Sequence, residues 1–324
     1  LAKINVIASL LSVSLAITFA FMGYGVWSII IKNISLQIIL VFLYKYYNKV
    51  VLDFKFNKKT FLELFSFGGY VSLTYFLDFV YNNLIILIMG KNYSVKDLGY
   101  YTQANSLEQI PVNTLSMVVN QVMFPFFSKF QNDKKRVIIN IRKTVLLITF
   151  FVFPILFFLI CFAEPVIVFL FTEKWLPSVK IFQILCFSGL VNALIHANRS
   201  VLKSLGYSRV LFISQLISIT IGIILLIIGF KYSLAILLIL IVLNSYFNYL
   251  IIAVFVQFKT GYKLWSQIYD FSFNLISSVI MIFITLVSSS YMVMNSFLFL
   301  VVNLLIFATL YISFHFLLNT KSFI

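Results

Sequence analysis

Apolar residues along this chain come in long unbroken runs, not in the alternation of a half-buried strand or the one-sided stripe of a soluble amphipathic helix. The runs approach the ~20 residues that a helix needs to cross a bilayer, and short polar breaks separate them. The pattern predicts helices at about 4–22, 26–44, 64–89, 106–127, 144–162, 179–202, 210–230, 233–256, 270–290 and 294–316. Gly23-Tyr24-Gly25 turns the chain between the first two, and Lys231-Tyr232 between the seventh and eighth. Two links are longer: residues 45–63, which are basic, and 91–105, which are mixed and hold a Gly-Tyr-Tyr cluster. Continuous runs also exclude an outer-membrane β-barrel. The expected fold class is an all-α polytopic membrane protein with about ten transmembrane helices.

Composition points the same way. Of 324 residues, 62% are hydrophobic and 10% charged, against roughly a quarter charged in a soluble domain. About 200 apolar side chains shared among spans of ~20 residues again give about ten spans. The mean hydropathy is +1.06. A soluble enzyme, a disordered chain and a disulfide scaffold are excluded. Cys161 and Cys186 fall inside apolar runs and read as small buried hydrophobes. His196 and His315 are far apart in sequence, so neither a metal nor another cofactor is expected. The chain starts with Leu1, and no small-residue cleavage site follows its first apolar run. A missing N-terminal segment is expected rather than a signal peptide.

A formal charge of +15 would suggest nucleic acid in a soluble chain. In a membrane protein it reads first as topology, because Lys and Arg collect in cytoplasmic loops. One set of alternate loops holds Lys3, Lys45, Lys49, Lys55, Lys58, Lys59, Lys129, Lys134, Lys135, Arg136, Arg142, Lys143, Lys203, Arg209, Lys259, Lys263 and Lys321. The other holds Lys91, Lys96, Lys174, Lys180 and Lys231, while Lys32 and Arg199 lie within predicted spans. The richer side is therefore cytoplasmic, and both termini fall on it, as an even number of spans requires. Clusters such as Lys134-Lys135-Arg136 also attract anionic headgroups. No nucleic-acid partner is expected.

Several short motifs follow one another in order. Gly23-Tyr24-Gly25-Val26-Trp27 precedes a helix, and Phe65-Ser66-Phe67-Gly68 opens another. Leu98-Gly99-Tyr100-Tyr101-Thr102-Gln103-Ala104 is followed by Pro111, and Val122-Met123-Phe124-Pro125-Phe126-Phe127-Ser128-Lys129-Phe130-Gln131-Asn132-Asp133 comes after the next helix. Then come Ala163-Glu164-Pro165, Trp175-Leu176-Pro177 and Leu205-Gly206-Tyr207-Ser208-Arg209. Over roughly residues 1–258 this order resembles the polysaccharide-biosynthesis (Wzx-type) flippases of the multidrug/oligosaccharidyl-lipid/polysaccharide exporter superfamily. The resemblance implies two six-helix lobes around a central cavity, with two extra C-terminal helices. On that pattern residues 1–46 are the last two helices of the N-lobe, 62–258 the six-helix C-lobe and 268–318 the terminal pair. It also implies roughly four helices upstream, hence an N-terminally truncated chain that does not transport alone.

The implied function is translocation of an undecaprenyl-pyrophosphate-linked oligosaccharide across the bacterial cytoplasmic membrane by alternating access. The product would serve surface polysaccharide: O-antigen, capsule or exopolysaccharide. Such a protein is a transporter, not an enzyme. Its implied partners are the lipid-linked oligosaccharide, membrane lipid, and the polysaccharide polymerase and glycosyltransferases of the same pathway.

Ionisable groups inside spans are costly and usually face a cavity or a partner. Arg199, His196 and Asn192 share one face of the sixth predicted helix. Two readings stand: a cationic face for the pyrophosphate, or an arginine snorkelling to the cytoplasmic interface. Lys32, in the second helix, is either a second headgroup contact or a snorkelling lysine. Asp78 lies in the third, two turns before Ile85, where the family pattern often has an acid. It is either a relocated ion-coupling carboxylate or a partner of Asn82. Asn244 and Asn248, one turn apart, suit sugar hydroxyls. They and Asn113, Asn120, Gln121 and Gln215 also suit interhelical hydrogen bonds. The apolar stretch between Glu164 and Glu173 is too short to span and reads as interfacial or re-entrant. Tyr24, Trp27, Tyr100, Tyr101 and Trp175 sit at predicted outer boundaries, as an aromatic belt or as sugar-stacking rings.

Other cargoes fit the same fold: lipid II, or the cationic drugs of a multidrug exporter. The second needs a cavity lined with acids, and Asp78 is the one expected there. From another class, a membrane glycosyltransferase or polymerase normally carries a large outer loop with catalytic Arg or His. The longest predicted outer loop, between the fifth and sixth helices, has neither.

Overall fold

The structure, a computed structural model, describes residues 2–48, 56–129, 133–290 and 296–318. Lys49, Lys55 and Lys321 of the charge pattern and Phe130-Gln131-Asn132 of the motif pattern lie outside the described residues. The helices are α1 (Ala2–Phe21), α2 (Trp27–Asn48), α3 (Lys58–Asn92), α4 (Val95–Lys129), α5 (Lys134–Cys161), α6 (Ala163–Phe171), α7 (Ser178–Ser204), α8 (Ser208–Gly229), α9 (Leu234–Thr260), α10 (Leu264–Ser289) and α11 (Ser296–Leu317). One 3-10 turn, Glu173–Trp175, joins α6 to α7. A helix occupies each of the ten expected places, and the short α6 fills the apolar stretch after Glu164. Among the described residues nine helices are long and apolar enough to cross a membrane. The chain is an all-α multi-pass membrane protein. The tenth expected span is α4, the least apolar of the long helices, several of whose C-terminal side chains lie outside the described residues.

Helix ends depart from the hydropathy pattern where capping sets them. Residues 91–105 form no long link, because α3 runs to Asn92 and α4 begins at Val95. Ser94 donates through its hydroxyl to Asp97 Oδ2 at 2.7 Å, and the Asp97 N–H donates back to Ser94 Oγ at 3.1 Å. This reciprocal cap satisfies first-turn donors and starts the helix well before its apolar stretch. Asp133 does the same for α5, accepting the Arg136 N–H at 3.1 Å. Between α1 and α2, Gly23 and Gly25 take φ of +85° and +50°, values that a side chain would strain, so the turn needs its two glycines.

By packing, the chain divides into two units, Leu1–Phe61 and Leu62–Ile324. In the first, α1 lies against α2. In the second, α7 is the hub and packs on α4, α5, α8 and α9. Gly189, Ala193 and Ala197, one turn apart and all buried, give α7 a smooth ridge. Helices surrounded by lipid gain little from the hydrophobic effect, so close approach along such ridges and dispersion hold them together. Phe150, Phe158 and Phe162 form a separate cluster with Met281, Ile282, Phe307 and Tyr311, which seats α10 and α11. The outward faces carry exposed Ile, Leu and Phe, suited to hydrocarbon.

A polar cluster also fastens α10. Arg142 of α5 forks onto Asp270, with Nε to Oδ2 at 2.8 Å and Nη2 to Oδ1 at 2.6 Å. Tyr262 donates its hydroxyl to Oδ2 at 2.6 Å. The Asp270 side chain is 4% exposed and that of Arg142 41%, so the two partners differ in what they can do alone. Arg142→Met strands a buried carboxylate and should cost about 3 kcal/mol. Asp270→Asn keeps a hydrogen-bonding group and leaves an arginine able to reach water, and should cost about 1 kcal/mol. Unfolding in detergent, followed by tryptophan fluorescence, tests this order; the reverse order would mean that the carboxylate is not the buried member.

Candidate substrate cavity

A cavity of about 320 Å³ lies within the second unit, walled by α3, α4, α7, α8 and α9. A neighbouring hollow of about 530 Å³ shares Tyr75, Asn113, His196 and Arg199 with it and extends to Gln121 and Lys203. Each wall comes from helical spacing. Asn192, His196 and Arg199 lie on one face of α7, Asp78, Asn82 and Ile85 on one face of α3, and Asn244 and Asn248 on one face of α9. The cavity thus brings together Arg199, His196, Asn192, Asn244, Asn248 and Asp78. Lys32 belongs to the first unit, where it is exposed on α2.

The charged centre is a ring of three side chains from three helices. Arg199 Nη1 donates to Asp78 Oδ2 at 2.8 Å, and its Nη2 donates to Gln215 Oε1. Gln215 Nε2 donates to Asp78 Oδ1 at 2.6 Å, which closes the ring. Arg199 is therefore turned toward α3 and α8 and paired there. Asp78 takes its hydrogen bonds from α7 and α8 rather than from Asn82. Carboxylate and guanidinium neutralise each other, which is how two ionised groups are tolerated in a wall of low dielectric.

Sequence reasoning missed Glu108. It lies on α4, is 1% exposed, and its Oε1 has no hydrogen-bond partner among the described residues. Asn192 stands on the same cavity wall. Gly189 makes room for Glu108: a Cβ there would stand 2.5 Å from Oε1. Asp78 is therefore not the one acid on the cavity wall. The signal was an acid inside a predicted span, the same rule that picked out Asp78.

The polarity of α4 follows from this position. Asn105, Glu108, Gln109 and Asn113 all face the cavity, so the residues that make α4 the least apolar of the long helices are its lining. Asn244 donates to Tyr81 Oη at 3.1 Å, so it also ties α9 to α3. One of the aromatic residues expected at the outer boundary, Tyr101, faces inward instead. Tyr101 is 5% exposed on the cavity wall, and Tyr100 packs edge-on against Trp175 with centroids 5.9 Å apart. Among the described residues no group of three His, Cys, Asp or Glu could hold a metal ion. Chemically, the cavity offers amides and hydroxyls suited to a hydroxyl-rich ligand, one guanidinium suited to an anion, and one buried carboxyl.

Residues 1–180 match the family described as polysaccharide biosynthesis protein. The chain is 28% identical over 217 residues to the teichuronic acid biosynthesis protein TuaB of Bacillus subtilis (strain 168), covering 65% of this chain and 44% of that protein. It is 25% identical over 127 residues to the lipopolysaccharide biosynthesis protein WzxC of Escherichia coli (strain K12), covering 39% of this chain and 26% of that one. The chain spans less than half the length of these relatives. Among solved structures, lipid II flippase MurJ in an inward closed conformation has the same fold. It gives a TM-score of 0.63 at 20% identity, covering 98% of this chain and 67% of that one.

The ring should behave as one unit. Arg199→Gln and Asp78→Asn each leave a part-buried ion without its counter-ion, whereas the double variant removes both charges. A double-mutant cycle on unfolding in detergent should therefore give a coupling of about 1–3 kcal/mol. Additive effects would show that the two side chains do not share a bond in the folded protein.

Proposed function

The chain belongs to the polysaccharide biosynthesis protein family, and from that premise we propose that its cavity carries the headgroup of a lipid-linked oligosaccharide across the bilayer. The cargo we assign is an undecaprenyl-pyrophosphate-linked oligosaccharide, taken from the inner to the outer leaflet of the bacterial cytoplasmic membrane for surface polysaccharide assembly. The observation that carries this reading is a guanidinium, Arg199, set among amides and a histidine on the wall of a polar cavity inside an apolar bundle. Arginine suits the pyrophosphate, and Asn192, Asn244 and Asn248 suit sugar hydroxyls. The isoprenoid tail needs no polar partner and can remain in hydrocarbon. Lys32, exposed on α2, is proposed separately as a residue that meets an anionic headgroup. The reading makes the protein a transporter rather than an enzyme, working beside the polymerase and glycosyltransferases of its pathway.

A cation cargo has one observation in its favour, the buried Glu108 carboxyl. Against it stands Asp78, whose charge Arg199 already neutralises.

Two measurements test the proposal. In cells lacking the gene, lipid-linked repeat units should accumulate in the cytoplasmic leaflet, and expression of the protein with Arg199→Gln should fail to clear them. An unchanged leaflet distribution in the deletion strain would sink the flippase reading. The proposed orientation, with both termini of this chain cytoplasmic, is tested in a background lacking Cys161 and Cys186. Lys174→Cys should react with a membrane-impermeant maleimide in intact cells and Lys135→Cys only after lysis; the opposite labelling would invert the topology.

A further inference from the structure

Arg199, the cation best placed to hold a phosphate in the cavity, is already held by an anion of the protein's own. Asp78 accepts from its Nη1 at 2.8 Å, and Gln215 links the two by donating to Asp78 at 2.6 Å and accepting from Nη2. A carboxylate and a phosphoryl group present the same feature to a guanidinium: paired oxygens spaced to match its N–H fork. Here the two oxygens are Asp78 Oδ2 on Nη1 and Gln215 Oε1 on Nη2, and together they occupy the guanidinium as the oxygens of a bound phosphoryl group would. The ring is also reachable. The Arg199 and Asp78 side chains are 17% and 28% exposed, and both lie on the cavity wall.

We propose that Asp78 is a specificity-determining residue, an intramolecular competitor that a headgroup must displace from Arg199, so that the cavity takes pyrophosphate-linked lipids and excludes phosphodiester lipids bearing a single charge. The inference rests on the pyrophosphate reading above. Anionic phosphodiester lipids surround any protein in such a membrane, and an unmasked arginine in a lipid-accessible cavity would be occupied by them. With Asp78 in place, a single-charge headgroup exchanges one ion pair for another and leaves Asp78 without its counter-ion in a low-dielectric wall, so the exchange is unfavourable.

A pyrophosphate brings a second charged phosphoryl group. Lys203 lies one turn beyond Arg199 on α7, and both line the larger hollow with His196. One phosphoryl group takes Arg199 while the other meets Lys203, whose Nζ stands 5.9 Å from the Tyr75 ring centroid on the same wall, and the added ion pair offsets the exchange. The displaced Asp78 retains the Gln215 amide as a donor, and Asn82 stands one turn along α3 on the same wall. The step is an exchange of ion pairs and makes or breaks no covalent bond.

The test uses the chain in nanodiscs of phosphatidylcholine, with geranylgeranyl pyrophosphate as the probe and phosphatidylglycerol as the single-charge competitor. Wild type should bind the probe, with phosphatidylglycerol competing poorly and inorganic pyrophosphate binding far more weakly than the lipid. Asp78→Asn should let phosphatidylglycerol compete about tenfold better. Gln215→Met, which loosens the ring without changing charge, should shift it the same way by less, and it decides the matter if Asp78→Asn does not fold. Discrimination unchanged in the folded variants overturns the proposal. If the probe binds wild type, fails to bind Arg199→Gln, and discrimination still does not move, only the masking idea falls. Probe binding that ignores Arg199→Gln removes the pyrophosphate reading as well. Inorganic pyrophosphate binding as tightly as the lipid would make the ligand a soluble anion and overturn the lipid selectivity.

Discussion

A polar group inside a bilayer-spanning bundle has no water to turn to, so every charge in the interior must find its partner within the protein, and the architecture follows from how those partners are supplied. Arg199, Asp78 and Gln215 come from α7, α3 and α8, and their ring is possible only if those three helices meet at one depth. Arg142, Asp270 and Tyr262 set the same condition for α5, α10 and the turn after α9. Apolar packing brings helices together without fixing their register, since one lipid-like surface slides easily over another. Ion pairs and hydrogen bonds between named atoms remove that freedom.

The same economy explains why the cavity lies where it does. The ridge of α7 made by Gly189, Ala193 and Ala197 allows close packing on one side, while its Asn192, His196 and Arg199 face the opening on another. A single helix thus supplies both the tightest packing and the most polar wall. Amides are the commonest polar side chains on the cavity wall, and they can donate and accept without carrying charge into the bundle. The Arg199 and Asp78 charges are paired, and the buried carboxyl of Glu108 has an oxygen with no hydrogen-bond partner among the described residues.

Much of this is legible in the sequence, for reasons that differ by feature. Helix positions are plain because a run of apolar residues reports bilayer thickness directly. The early starts of α4 and α5 are not, because Ser94, Asp97 and Asp133 act on backbone donors that hydropathy does not register. Arg199 and Asp78 stand out as intramembrane charges, yet they are 121 residues apart and nothing in the spacing of either helix says that they touch. Separate roles are therefore the natural expectation, one for headgroup and one for ion, where the structure makes them two halves of one pair. Glu108 escapes notice for another reason: amid the amides of α4 an acid looks like part of a generally polar helix.

That polarity has a consequence for how the protein is made. A segment leaving the ribosome enters the bilayer on its own merits when its side chains prefer hydrocarbon, and each charged residue near its centre opposes entry by about 3 kcal/mol on a biological insertion scale. α4 emerges before α5, α7, α8 and α9 exist to form the cavity that its polar face will line. Only Tyr93 and Ser94 separate it from α3, which is apolar enough to insert. The two helices are thus tied closely enough to enter as a hairpin, with α3 carrying its polar partner across and the cavity closing around α4 as the later spans arrive.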